Sequence, residues 1–66
     1  MTATVNGSAR ELPEDITIGG LLELLGTPRN GIAVACNDTV VRRDSYDEHR
    51  LVEGDRVEII KAVAGG

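Results

Sequence analysis

The chain has 66 residues, one cysteine, one histidine and a net charge of −4, with 11 acidic against 7 basic side chains. A chain this short forms one domain and buries only about 60% of its unfolded surface, which leaves little room for an internal active-site cleft. The single cysteine excludes an intramolecular disulfide, Cys36 and His49 lack metal-site spacing, and the acidic balance with Tyr46 as sole aromatic opposes nucleic-acid binding, which needs a basic face or stacking rings.

Residues 1–5 alternate, with Met1, Ala3 and Val5 on one side and Thr2 and Thr4 on the other, the period of a half-buried strand. Asn6-Gly7 is a hairpin signal, because both positions of such a turn need positive φ. Residues 9–12 are the expected return strand, ended by Pro13, which cannot donate to a ladder. With no basic leader and no long apolar run, the N-terminal segment predicts neither a secretory signal nor a membrane span. Together with the lone thiol this points to the cytoplasm.

At Ile18 the period changes. Ile18, Leu21, Leu22 and Leu25 fall on one helical face, Thr17 stands at the N-cap, Gly26 at the position after the last turn, and Pro28 two residues on. Gly19 and Gly20 in the first turn cost about 1 kcal/mol each relative to Ala, so the helix must depend on packing. Arg29-Asn30-Gly31 is a loop, and residues 32–36 are apolar throughout, as in a central strand covered on at least one face. Asn37-Asp38 turns the chain into a short strand over 39–42. Residues 43–50 are charged and irregular, with one helical turn expected around 45–49. Glu53-Gly54-Asp55 is a tight turn, and 56–62 is the last strand, with Val57 and Ile59 on one face and Glu58 and Ile60 on the other. Strand, strand, helix, strand, strand, strand reads as an α+β chain with one helix on one face of a sheet.

The sequence closes on Val63-Ala64-Gly65-Gly66. Without Cβ atoms, the last two residues leave the terminal carbonyl uncrowded and able to enter a narrow enzyme channel. The terminal carboxylate is ionised at neutral pH and is a poor electrophile. The chain carries no Ser-His-Asp set, no phosphate-binding glycine loop with Lys, and no paired acids on a recognisable scaffold, so the chain reads as a substrate for other proteins and not as a catalyst. If Val57 and Ile59 face the helix, Ile60 and Ala62 point outward beside the tail and form a docking patch, unless a loop covers that face. Cys36 in an apolar strand reads as a buried hydrophobe, with a thioester or disulfide to a partner as the alternative. His49 reads as a solvated residue of a polar loop. Arg42 and Arg43 read either as a steering pair for an acidic partner or as a solvated strand end. Gly7 and Gly54 read as turn residues.

The element order and the diglycine resemble the ubiquitin-like β-grasp, and the whole chain is similar to the ThiS family, the small sulfur carriers of thiamine biosynthesis. The similarity is carried by Val5-Asn6-Gly7, by Thr17-Ile18 with Leu21-Leu22, by Ile32-Ala33-Val34-Ala35 running into Asn37, and by Val41 with Arg43. It is most specific in Gly54-Asp55-Arg56-Val57-Glu58-Ile59-Ile60 leading to Ala62-Val63-Ala64-Gly65-Gly66. Cys36 stands where the family usually has Val or Ile, Arg42 replaces a common Pro, and Tyr46 a frequent Trp.

The resemblance implies a mixed sheet of four to five strands, with the first and last strands parallel at its centre and one helix on one face. It divides the chain into a β-grasp domain over residues 1–62 and a flexible diglycine tail over 63–66. It implies that a ubiquitin-activating-like adenylyltransferase uses ATP to adenylate Gly66. Sulfur from a cysteine desulfurase relay then displaces AMP, leaving a Gly66 thiocarboxylate (1-thioglycine) that thiazole synthase consumes. Val63, Ala64 and Gly65 would form the tail, Ile60 and Ala62 the docking patch, and no cofactor is bound. The alternatives are a sister carrier serving molybdopterin or cysteine synthesis, a ubiquitin-like protein modifier, and a binding module whose diglycine is incidental.

Overall fold

The computed structural model describes residues 1–61, and Ala62, Val63, Ala64, Gly65 and Gly66 lie outside the described residues, together with the tail and the part of the docking patch expected there. β1 (Thr2–Val5) turns through Asn6 and Gly7, at φ 49° and 83°, into β2 (Ser8–Glu11). α1 (Ile18–Leu25) follows, then β3 (Ile32–Cys36) and β4 (Thr39–Val41), a 3-10 turn over Arg43–Ser45, and β5 (Arg56–Lys61). The five strands form one sheet in the order β2-β1-β5-β3-β4. β5 lies parallel to β1, pairing Thr4 with Arg56 and Val5 with Val57, and antiparallel to β3 from Ile32–Lys61 to Cys36–Val57. The mixed sheet with its first and last strands parallel at the centre is thus as expected, at the upper end of the strand count.

Three local expectations shift. The return strand runs from Ser8 to Glu11, one residue earlier than expected, and buried Leu12 just beyond it exchanges hydrogen bonds with Met1, its N–H donating to Met1 O and its carbonyl accepting from the Met1 amine. The ladder of β4 ends at Val41, one residue short of the expected 42. A 3-10 turn at Arg43–Ser45 runs ahead of the turn expected around 45–49: extended Arg42 supplies its first carbonyl, which accepts from Ser45 N–H at 2.9 Å, and the expected turn follows directly, closed by His49 N–H on Ser45 O at 3.0 Å. The chain then continues through hydrogen-bonded turns to His49, and this path carries Tyr46 into the core.

Alternation assigns the faces. Ala3, Val5, Val34, Cys36, Val41 and Val57 point beneath α1, which answers with Ile18, Leu21 and Leu22. Leu12, Tyr46 and Leu51 close the rim. Each fully buried aliphatic side chain contributes about 1.5–3 kcal/mol, and no disulfide supplements this packing, since Cys36 is free. Leu25, at the end of the helical stripe, is only partly buried.

The helix is capped at both ends. Thr17 Oγ1 accepts from Gly20 N–H at 3.0 Å. Gly26 adopts φ 68°, and the N–H of Thr27 returns to Leu22 O at 2.9 Å, closing the last turn. The glycine in the first turn now has a packing reason. The N–H of Gly19 donates to Tyr46 O at 2.9 Å, and a Cβ there would overlap Asp47 Oδ1 and Arg29 Nη2. A bidentate Arg29–Asp47 pair, at 2.9 and 2.6 Å, lies across the start of the helix.

Side-chain amides complete the pairing of β5. β1 ends before β5 does, and the Asn6 side chain takes its place: Oδ1 accepts from Ile59 N–H at 2.8 Å while the Asn6 N–H donates to Val57 O at 2.9 Å. At the other end Asn37 N–H donates to Arg56 O, and Asn37 Oδ1 accepts from Arg56 N–H, at 2.8 and 2.9 Å. Asn37 Nδ2 donates to the buried Asp55, whose second oxygen accepts from Val52 N–H and closes the turn before the strand. Asn6→Ala should lower the unfolding free energy by about 1–2 kcal/mol, through the lost hydrogen bond and the positive φ. Urea denaturation measures this, and amide exchange at Ile59 should accelerate in parallel.

Candidate functional site

The site expected from the sequence lies where β5 leaves the sheet. Residues that pair directly share a face, so Ile60 stands beside Ala33, and Ala35 stands between Glu58 and Val40. None of the five joins the core, and the large aliphatic ones are open to solvent: Ile60 is 60% exposed and Val40 72%. Ile60 therefore points outward as its alternation with Val57 and Ile59 requires, and Ala62, the second expected docking residue, lies outside the described residues. Sequence reasoning missed Ala33 and Val40. The run over residues 32–36 is apolar on both sides, and the outward-facing partners of Ile60 emerge only once the register of β3 against β4 and β5 is known.

The face divides into two chemistries. Toward the end where β5 runs out it is aliphatic, with Ile60, Ala33, Ala35 and Val40. Toward β1 it becomes polar, with Thr4 paired to Arg56 and Glu58 farther along β5. An aliphatic patch with a polar margin is the surface chemistry of a protein–protein contact.

Around the same end lie the side chains of Arg29, Arg42 and Arg43, with Asp44 and Asp47, lining one open depression. Arg29 beside Asp47 holds that carboxyl below the usual carboxylate range, chiefly through their hydrogen bonds. His49 is half-buried and not freely solvated: its carbonyl accepts from Ile18 N–H at 3.0 Å, and its own N–H donates to Ser45 O at 3.0 Å. Gly7 and Gly54 occupy turns at φ 83° and 85°, as their composition suggested.

Cys36 is 6% exposed, on the core face of β3. Burial first, and then the neighbouring Asp55 carboxylate, push its thiol pKa up. The thiol therefore stays protonated at neutral pH and packs as a hydrophobe, the poorer form for a thioester or disulfide. Among the described residues no group of three or more His, Cys, Asp or Glu is placed to hold a metal ion, and no helix is long and apolar enough to cross a membrane.

Comparison with known proteins gives concordant findings. The model of the ThiS family matches residues 3–66. The chain is 30% identical to the sulfur carrier protein ThiS of Escherichia coli K12, with all of both chains covered. It is 32% identical over its whole length to a thiazole synthase of Paramagnetospirillum magneticum and 33% to one of Magnetococcus marinus, and spans about a fifth (20%) of the length of each. The crystal structure of the thiamine biosynthesis protein ThiS from Geobacter metallireducens superposes with a TM-score of 0.87 at 29% identity, covering all of both chains. The architecture is the ubiquitin-like β-grasp.

The state of Cys36 is directly measurable. Alkylation by iodoacetamide, followed by mass spectrometry, should be at least about ten-fold slower in the folded protein than in urea, because the native thiol is both buried and protonated. A raised folded pKa contributes stability that is whole below the unfolded thiol's pKa of about 8.5 and is lost as pH climbs through the folded value. Unfolding free energy should therefore fall across that alkaline window, and Cys36→Val should flatten the fall.

Proposed function

From the premise that the chain belongs to the ThiS family, we propose that it is a sulfur carrier of thiamine biosynthesis, whose Gly66 carboxyl is converted to a thiocarboxylate for thiazole synthase. The observation that carries this reading is the end-to-end match with the Escherichia coli sulfur carrier protein, with no part of either chain left over. The two thiazole synthase relatives support the choice of consumer: in each, a stretch similar to this whole chain is part of a longer polypeptide bearing that name. The carrier is the substrate of partner enzymes and not itself a catalyst. Its place is the cytoplasm, where its partners and their ATP are found.

The family resemblance implies the steps, and the chemistry of a carboxylate agrees with them. A carboxylate resists nucleophiles, so an adenylyltransferase first joins it to AMP from ATP, releasing pyrophosphate. A persulfide of the cysteine desulfurase relay then attacks the Gly66 carbonyl and expels AMP, giving an acyl disulfide, and a second thiol of the relay cleaves its S–S bond, leaving the Gly66 thiocarboxylate and a disulfide on the relay. The protein's contribution is placement. The five residues beyond Lys61 span at most about 17 Å when extended, so a partner must grip the β-grasp domain close to its reacting centre. The aliphatic patch of Ile60, Ala33 and Val40 is the proposed grip, with Ala62 the second docking residue read from the sequence, and Val63, Ala64 and Gly65 are read as the narrow lead into the channel. Small side chains suit a channel too tight for branched ones.

Ile60→Asp should change stability by less than about 1 kcal/mol, since the side chain is mostly solvated in the free protein. It should lower the rate of adenylation about ten-fold or more, as expected when a central apolar contact is lost. Removal of Gly66 should abolish growth without thiamine in a cell that lacks its own carrier. Growth sustained by the shortened chain would refute the carrier reading. High-molecular-weight conjugates through Gly66 on a denaturing blot would instead indicate a protein modifier.

A further inference from the structure

The chain is acidic overall, yet its charges are sorted along the sheet. β5 ends at Lys61, paired with Ile32 at the start of β3, and β4 ends at Val41, so Arg42 and Arg43 leave the sheet at that same end. Arg29 lines one depression with both, and Arg43 donates to Asn30 Oδ1 in the loop before β3. Four of the seven basic side chains thus gather where the chain departs toward Gly66, against Asp44 and Asp47. The far end of the sheet has the opposite composition. Glu53 accepts from Thr2 N–H, Glu11 accepts from the Thr2 hydroxyl, Glu14 lies 3.6 Å from the Met1 amine, Asp38 pairs with Arg56, and Asp55 is buried in the turn before β5.

The basic cluster is not consumed by its own neighbours. Arg29 spends its guanidinium on Asp47. Arg42 is 82% exposed and touches Asp44 only through Nε at 3.5 Å. Arg43 is exposed, and the group it donates to, the Asn30 side chain, is a neutral amide.

We propose that Arg42, Arg43 and Lys61 form a docking surface for an acidic protein face, a cluster of carboxylates bordering the channel mouth that receives the tail. The proposal rests on the carrier reading for the identity of that partner, but the surface itself stands on the charge distribution. Its physical role is steering. A chain with a basic end and an acidic end turns its basic end toward a carboxylate cluster before contact, which raises the association rate and presents the tail first. The cluster borders the aliphatic patch, since Arg42 follows Val41 and Val41 pairs with Val34, one step from Ala33. Charge thus sets the approach, and apolar contact holds the complex.

Two arms test this. In the first, the isotope-labelled protein is titrated with poly-L-glutamate at low salt and followed by amide NMR. Saturable shifts are expected at Asn30, Arg42, Arg43 and Lys61. They should disappear in the Arg42→Glu/Arg43→Glu variant and at about 1 M salt, where the screening length is about 3 Å. Absent shifts, or shifts unchanged in that variant, would overturn the proposal. In the second arm, association with the adenylating enzyme is measured by stopped flow. Arg42→Glu should slow association roughly ten-fold at low salt, and Glu53→Lys at the opposite end should not slow it. A rate equal to wild type, or a loss insensitive to salt, would overturn the proposal. Should the wild-type chain fail to be adenylated at all, the carrier reading falls and the poly-L-glutamate titration still decides the surface.

Discussion

Everything in this molecule depends on placing its last strand at the centre of its sheet. β5 enters between β1 and β3 and so joins the β1–β2 hairpin to the β3–β4 pair. Its parallel register with β1 is short, two residue pairs, and its contact with β3 is longer, five pairs. The deficit on the β1 side is met by the Asn6 amide, which accepts the Ile59 N–H beyond the end of β1. The pairing of β5 with β1 joins residues 52 positions apart, Val5 with Val57, the longest separation between paired strands of the sheet, so the largest loop-closure entropy falls on this contact. The result is that the segment leading to Gly66 departs from the best-supported strand in the protein.

The same strand separates stability from recognition. Val57 and Ile59 face α1 and the core, while Glu58 and Ile60 face solvent. A change at Ile60 is therefore expected to act on the proposed partner contact, and a change at Val57 on folding. The two chemistries of the outer surface meet at the end where β5 runs out. Aliphatic side chains there exclude water from a contact, and the arginines beside them act over a longer range. Under the proposed reading a small domain can serve as a carrier in this way, because the catalytic machinery is supplied by whatever grips it.

Much of this was legible in the sequence. Alternation over residues 1–5, the helical stripe of Ile18, Leu21, Leu22 and Leu25, the Thr17 and Gly26 caps, and the outward placement of Ile60 all follow from local periodicity and turn chemistry, which local residues determine. What escaped was non-local. The partnership of Ile60 with Ala33, and the exposure of Val40, depend on strand register, which an apolar run such as residues 32–36 does not specify by itself. Gly19 looked like a helix defect until the Arg29–Asp47 pair, joining residues 18 positions apart, was seen to lie over it. Asn6 was readable as a turn residue, but its bond to Ile59 spans 53 positions and leaves no local trace. The turn around 45–49 was readable, but the 3-10 turn at Arg43–Ser45 ahead of it, whose first carbonyl Arg42 supplies, was not, and Tyr46 enters the core on that path.

The central claim is that the reactive group of this protein is its terminal carbonyl, carried and aimed by the β-grasp domain. The intact mass of the protein isolated from its own cells under thiamine limitation tests it most directly. The account predicts a population heavier by the difference between one sulfur and one oxygen atom, with the added mass confined to the fragment ending at Gly66. A single species at the unmodified mass, in cells actively making the thiazole ring, would contradict it.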